Sequence, residues 1–301
     1  MDTARFEVPT GFGFEATVRS HGWYLLAPFR WNAATATLHR AERLGGTVHE
    51  LAISRDGGAL VVAGDRSLRG RQRELAAKID RIFQLRVDTS EFAAMAAGTE
   101  SHAWIATTRF GRLLCSPTRF EDAVKIIATT NTTWRQTMRM VELLVLTCGS
   151  RSRSGAAAFP DPGQIAATSP EVLQRECRLG YRAKTIHALA AGVVSGTIEL
   201  DALCDPTLPA REQLAQYRSL PGIGPYGAAH LMALDGRHDF IAVDTEFRRF
   251  VRERYHRGRA VADATLLRRY RRWGRWQYLA YWSELWRDAA GALVKFEKGD
   301  E

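Results

Sequence analysis

The pattern of apolar and polar positions changes character along the chain. Before about residue 65 the apolar residues come in short runs, ATVRSHGWYLLAPF, ATATLHRA, TVHELAIS and ALVVAG. They are rich in β-branched and aromatic side chains and parted by Gly or Asp, which predicts strands. Arg55-Asp56-Gly57-Gly58, between two of these runs, predicts a hairpin. In RSLRGRQRELAAKIDRIFQLR the spacing turns helical, with Leu68, Leu75, Ile79 and Ile82-Phe83 recurring along one side.

From about residue 117 onward nearly every segment repeats at helical spacing. Ser116-Pro117-Thr118 opens a helix through FEDAVKIIATT, and TTWRQTMRMVELLVLTCG is a second helix closed by Gly149. RSRSGAAAFPDPG reads as a loop, and Ser169-Pro170-Glu171 starts another helix. Further helices are predicted over 182–194, 209–219, 225–235, 244–254 and, in pieces, 263–290. The expected fold is mainly α with a small N-terminal antiparallel sheet (α+β). Residues 1–110 would form a β-rich domain with connecting helices, and residues 111–301 a helical body.

Composition narrows the function class. The 301 residues are 46% hydrophobic, enough for a large core, and the net charge of +9 points toward a polyanionic partner. Lysine is scarce: Lys78, Lys125, Lys184, Lys295 and Lys298 are the only five. Cys115, Cys148, Cys177 and Cys204 have no CxxC spacing, which argues against zinc, a clustered iron–sulfur site and a disulfide framework. No apolar run approaches membrane-spanning length, and the N-terminus lacks the pattern of a signal peptide. A reduced, cytoplasmic, monomeric protein is expected, in a bacterial setting one working at the nucleoid.

The most informative segment is Leu214 to Leu231, with Leu220-Pro221-Gly222-Ile223-Gly224-Pro225 at its centre. One helix ends and another begins with Pro at its first position, where the missing N–H costs nothing. The amides of Gly222, Ile223, Gly224, Tyr226 and Gly227 then form an anion site at a helix N-terminus. Twenty residues after Gly224, an apolar run leads into Asp244, which would cap the next helix. By itself Asp244 would read as a cap and nothing more.

Together, the hairpin and the Val243-Asp244 segment resemble the helix-hairpin-helix (HhH-GPD) DNA glycosylase superfamily, particularly 3-methyladenine glycosylase II and, in part, 8-oxoguanine glycosylase. The resemblance implies a partner, double-stranded DNA, and a role for each element. The hairpin would grip a phosphate, with a sodium or potassium ion on the carbonyls of Arg218, Leu220 and Ile223. Asp244 would be the catalytic carboxylate, stabilising positive charge on the sugar as the N-glycosidic bond breaks. Hydrogen bonds from the helix N-terminus would keep it ionised.

Bifunctional members carry a lysine two residues after the last hairpin glycine. Tyr226 stands there in this chain, so the implied reaction is hydrolytic and leaves an abasic site in base excision repair. With no cysteine after Cys204, the iron–sulfur loop of some branches is not expected, and no cofactor is required. Asn131 and Thr132, after the first core helix, and Tyr181 and Arg182, in Leu179-Gly180-Tyr181-Arg182-Ala183, match segments that enter the duplex and contact the orphaned base. There Tyr181 would wedge the stack and Arg182 would donate hydrogen bonds. Arg135 is offset from the second arginine expected there, and Gln136 takes its place, so preference for an opposite cytosine does not carry over.

The aromatic tail Trp273–Trp286 would line a base pocket through Tyr281, Trp282, Leu285 and Trp286, joined by Tyr226 and His230. Aromatic walls favour electron-poor, alkylated purines. An 8-oxoguanine-type or other modified-base glycosylase is the alternative substrate reading. A non-catalytic helix-hairpin-helix binder of distorted DNA is the alternative function, and it would need neither Asp244 nor the pocket.

Overall fold

The computed structural model describes residues 2–297, with side chains as far as Arg287. Five strands, β1 (Asp2–Glu7), β2 (Phe29–Asn32), β3 (Thr37–Leu44), β4 (Thr47–Asp56) and β5 (Ala59–Gly64), form one antiparallel sheet in the order β1-β5-β4-β3-β2. The β4–β5 turn is Gly57-Gly58, in register with Asp56 opposite Ala59, as the Asp-Gly-Gly signal predicts. In β1 the apolar Ala4 and Phe6 alternate with Arg5 and Glu7 and are the half-buried side of the strand.

One expectation fails here. The ATVRSHGWYLLAPF run is not a strand: it holds a short helix α1 (Phe14–Val18) and a 3-10 turn over Gly22–Leu25. Aromatic and β-branched residues fit any half-buried surface, and here their packing inward decided the backbone. His21, Trp23 and Tyr24 are buried at 3%, 3% and 1% exposure.

Helices α2 (Gln72–Ile82), α3 (Ser90–Ala97) and α4 (Trp104–Thr108) connect the sheet to the helical body. The body continues with α5 (Arg119–Thr129), α6 (Trp134–Cys148), α7 (Pro162–Ala166), α8 (Pro170–Arg175) and α9 (Arg182–Val194). It ends with α10 (Ala210–Ser219), α11 (Pro225–Leu234), α12 (Thr245–His256), α13 (Asp263–Arg268) and α14 (Gln277–Glu297). Local chemistry sets several of these starts. Thr118 caps α5, Thr133 and Gln136 form a reciprocal capping box on α6, and Ser169 caps α8 ahead of Pro170. Among the described residues no helix is long and apolar enough to cross a membrane.

The apolar core is continuous from Phe12 to Leu285, so sheet and helical body share it. A buried charge network fixes their relation. Along β3, period-two alternation turns Leu38, Arg40, Glu42 and Leu44 to the buried side. Arg40 forks onto Glu121 of α5 at 2.7 and 3.0 Å and bonds Glu42 at 2.5 Å, while Lys125 and Lys78 close the network on Glu121 and Glu42 at 2.7 and 2.8 Å. Next to them Asp122 accepts from Trp23 Nε1 at 2.8 Å and from Arg81 at 2.7 Å. Helix α5 is thereby held on its polar side by the sheet domain and on its apolar side by the body.

Candidate active site

The hairpin between α10 and α11 is built from two glycines with different duties. Gly222 has φ +73°, a left-handed conformation, and a Cβ there would lie 2.3 Å from the Thr185 side chain. Gly224 is extended (φ −84°, ψ −174°), and a Cβ there would meet nothing within 4 Å. Only Gly222 is demanded by the turn; Gly224 leaves open space in front of the α11 N-terminus. There the amides of Gly224, Tyr226 and Gly227 have no carbonyl ahead of them in the helix.

Ile223 departs from the expected phosphate-facing set. Its side chain is buried and its N–H donates to the Leu220 carbonyl at 3.1 Å. Gly227 serves packing as well, since a Cβ there would lie 2.9 Å from Ile126 of α5. Of the three hairpin carbonyls expected to hold a monovalent cation, Leu220's thus spends one of its two lone pairs within the turn, and the remaining donor set is all oxygen, the type hard cations take. Among the described residues no cluster of three His, Cys, Asp or Glu is placed to hold a metal ion.

Substitution of Gly224 by Asp separates fold from binding. The site has room and backbone for a side chain, and Asp is a favourable N-cap, so thermal stability should stay level or rise slightly. If the turn holds a DNA phosphate, as the resemblance implies, affinity should fall by about tenfold or more, because a carboxylate would stand where the anion binds. Fluorescence anisotropy with a labelled duplex, beside thermal unfolding, reads both; unchanged affinity would contradict phosphate binding at this turn.

Asp244 caps α12, its Oδ1 accepting from the Phe247 N–H at 2.7 Å. The backbone amides of the helix N-terminus lower its pKa, as expected, yet the net shift is upward. Burial raises the Asp244 pKa, and the nearby Glu246 adds to it, outweighing the backbone bonds from Phe247 and Glu246. Desolvation is the largest cause, and three tyrosines feel the charge of this carboxyl: Tyr226, Tyr278 and Tyr281. Tyr226 is one of them: its hydroxyl is pushed up to about 12 by burial and by the Asp244 charge, with partial relief from Thr129.

Behind Asp244 lies Tyr281, buried against Phe247 (centroids 5.0 Å apart), Tyr270 (5.8 Å) and Trp282 (6.1 Å). His230, one turn after Tyr226, bonds the Tyr278 hydroxyl at 2.8 Å and lies edge-on to Trp282 at 5.6 Å. Tyr226, His230, Tyr281 and Trp282 are therefore brought together. Trp286 is not: it stacks on Trp104 at 6.0 Å, packs on Phe110, and donates to the Arg19 carbonyl. A row of residues four apart drifts around a helix, by roughly 80° over eight residues, which carries Trp286 off the Tyr278–Trp282 face.

The other expected contact group assembles at the C-terminal end of α5. Asn131 takes a left-handed conformation (φ +47°). Tyr181, 61% exposed, projects beside it, with its hydroxyl 3.3 Å from Asn131 Nδ2 and 3.4 Å from Thr130 Oγ1. Arg182 turns inward, contrary to its expected role as a donor to a base. It donates to the Thr130 and Asn131 carbonyls and underlies the Tyr181 ring at 4.6 Å, so it braces the turn. Thr132 and Gln136 are spent on the α6 cap, the Thr132 hydroxyl donating to Gln136 at 2.9 Å. A cup of about 320 Å³ beside the turn is lined by Asn131, Arg178, Arg182 and Arg139 among others, and its exposed guanidiniums are Arg178 and Arg139. Sequence reasoning missed Arg178, as well as His21, Trp23 and Thr129. Thr129 beside Tyr226, and Asn131 two residues on, place the Asn131–Tyr181 turn and the Tyr226–Asp244 site at one end of α5.

Solved structures share this architecture. The chain aligns with 3-methyladenine DNA glycosylase from Archaeoglobus fulgidus at 21% identity and a TM-score of 0.74, covering 94% of this chain and 97% of that one. It aligns with the 8-oxoguanine glycosylase/lyase of Clostridium acetobutylicum at 14% identity and a TM-score of 0.72, covering 95% of both. MBOgg1, solved in complex with a low-affinity DNA ligand, gives 18% identity, a TM-score of 0.75, and coverage of 96% and 97%. No curated protein matches by sequence. Residues 124–275, half of the chain, match the HhH-GPD superfamily of base excision DNA repair proteins, and the chain belongs to that superfamily.

Proposed function

We propose that this protein is a monofunctional DNA glycosylase that hydrolyses the N-glycosidic bond of an extruded damaged base in double-stranded DNA, acting as a monomer. The observation that carries the reading is the juxtaposition of a desolvated carboxylate, Asp244, with Tyr226 at the hairpin position where a lyase would need lysine. As the C1′–N bond lengthens, its electron pair leaves with the base and positive charge builds on C1′ and O4′. Asp244, in a low-dielectric setting, stabilises that charge. Water then adds to C1′, and its proton passes to Asp244 or solvent.

The three lysines with described side chains support hydrolysis over amine attack. Lys125 is fully buried in its ion pair with Glu121, and Lys78 is paired with Glu42, both in the network under the sheet. Lys184 is exposed on α9, among helices that do not carry Asp244. Alkylated purines are the leading substrates, since a cationic ring gains most from the aromatic surroundings of Tyr226, Tyr278 and Trp282. The Asn131–Tyr181 turn favours an oxidised purine as the second substrate reading. A sodium or potassium ion on the Arg218, Leu220 and Ile223 carbonyls would strengthen the phosphate grip.

The test is a set of duplexes carrying 3-methyladenine, 7-methylguanine or 8-oxoguanine, incubated with enzyme and split between hot alkali and borohydride. Strand breaks that need alkali, with no borohydride-trapped covalent adduct, are expected. An adduct at any lesion would overturn the monofunctional reading, and release of 8-oxoguanine alone would overturn the alkylpurine one.

A further inference from the structure

Beneath Tyr226, five rings from three parts of the chain close around His230. His21 and Trp23 come from the N-terminal segment, Tyr226 from the first turn of α11, and Tyr278 and Trp282 from α14. Their centroids lie 5.5–6.0 Å from the His230 ring.

Most polar atoms of these rings are engaged. Trp23 Nε1 donates to Asp122 at 2.8 Å and Trp282 Nε1 to the Ser20 carbonyl at 2.9 Å. His21 Nε2 lies 2.7 Å from the Leu114 carbonyl, and His230 Nδ1 lies 2.8 Å from the Tyr278 hydroxyl. Two atoms are left over: His21 Nδ1 and His230 Nε2 are buried with no partner.

The bonded side of each ring fixes the chemistry of its free side. A carbonyl only accepts, so His21 carries its hydrogen on Nε2 and offers Nδ1 as an acceptor. The Tyr278 hydroxyl can donate or accept, but it is buried and has no other hydrogen-bond partner among the described residues, so its O–H is placed on His230 Nδ1, which leaves His230 Nε2–H as a donor. Burial lowers both imidazoles to about 3, so both stay neutral and this assignment holds at physiological pH.

We propose that His21 and His230 act as a pair that reads the extruded base, one accepting and one donating, and so select a base with a donor beside an acceptor on one edge. Such an edge is a ring N–H next to a carbonyl, or an amino group next to a ring nitrogen. This rests on the glycosylase reading above and deepens it. Buried polar atoms left without a partner are matched by a ligand that brings one, and the two free atoms here lie beneath Tyr226. Selection then depends on an uncharged edge as well as on the lesion's charge.

Two substitutions remove the free atom and keep the structural bond. In His21→Gln the side-chain amide can still donate to the Leu114 carbonyl, and in His230→Asn the side-chain oxygen can still accept from Tyr278. The probes are duplexes carrying hypoxanthine or unsubstituted purine, which differ in that edge, with an abasic-analogue duplex for affinity. Each variant is expected to slow hypoxanthine release by about tenfold or more and purine release by less than about threefold, with abasic affinity within about twofold of wild type. Equal slowing of both bases with a lowered unfolding temperature would make the two histidines a structural pair and overturn the proposal, as would an unchanged ratio. Wild-type release of 7-methylguanine or 3-methyladenine but of neither probe overturns the edge reading alone. Release of no base at all overturns the glycosylase reading and this inference with it.

Discussion

Replacement of Asp244 by Asn is expected to slow base release by about 10²–10³-fold or more while duplex affinity stays near wild type. The change removes one charge and little else. Asn is as good an N-cap as Asp, and its oxygen can accept the same bond from Phe247, so α12 keeps its start. Stability should move the other way from activity. Burial raises the folded-state pKa of Asp244 above its unfolded value. Such a group contributes stability that is present at acid pH and lost as pH rises through the raised pKa. At neutral pH the carboxylate therefore opposes folding, and Asp244→Asn should unfold at a higher temperature than wild type. The difference should vanish in acid, where both side chains are neutral. The same shift moves the acid limb of the wild-type rate profile to higher pH than an exposed aspartate would give. A variant less stable than wild type at pH 7 would mean that the carboxylate is not desolvated.

The second large effect lies far from the chemistry. Arg40→Met is expected to cost about 3–5 kcal/mol of unfolding free energy in urea titrations, because it takes the shared guanidinium from two buried carboxylates and leaves Glu121 to Lys125 alone and Glu42 to Lys78 alone. Burial alone would raise the Glu121 carboxyl, but Arg40 and Lys125 outweigh it and hold it at about 2. A carboxylate with a lowered folded pKa stabilises the fold above its unfolded pKa and loses that contribution as pH falls toward 2. The penalty of Arg40→Met should therefore shrink below about pH 4, as Glu121 takes up a proton more readily without Arg40. Adding Glu121→Gln to Arg40→Met should recover part of the loss, since a neutral amide replaces a buried charge that has lost its bidentate partner. A penalty under about 1 kcal/mol would mean that water reaches the network. Activity should fall with stability, because α5 carries both Thr129, beside Tyr226, and the Asn131 turn.

Elements whose cause is local were legible in the sequence. Pro225 after a glycine turn starts α11, Thr133 and Gln136 start α6, and the predicted helix over 182–194 is α9 to the residue. The hairpin and Asp244 were legible for the same reason, as turn and cap chemistry written in adjacent residues. Features decided by distant contacts were not. The segment around His21 and Trp23 read as a strand because its composition suits one, yet its rings pack onto α11 and α14. Trp286 shares a helical row with Tyr278 and Trp282 in the sequence, but the drift of that row carries it to Arg19 and Trp104. Arg182 has the residue type of a base reader, whereas the carbonyls of the Asn131 turn, fifty residues away in sequence, claim its guanidinium. The raised pKa of Asp244 followed the same rule: the cap was visible in the sequence, and the burial that raises it was not.

The most direct test of the central claim is single-turnover release of an alkylated purine from a duplex by wild type and Asp244→Asn, each sampled with and without hot alkali. Alkali-dependent breaks with wild type, and almost none with Asp244→Asn at matched DNA occupancy, are the expected result. Equal release by both proteins, or tight binding by both with no release of any damaged base, would contradict it.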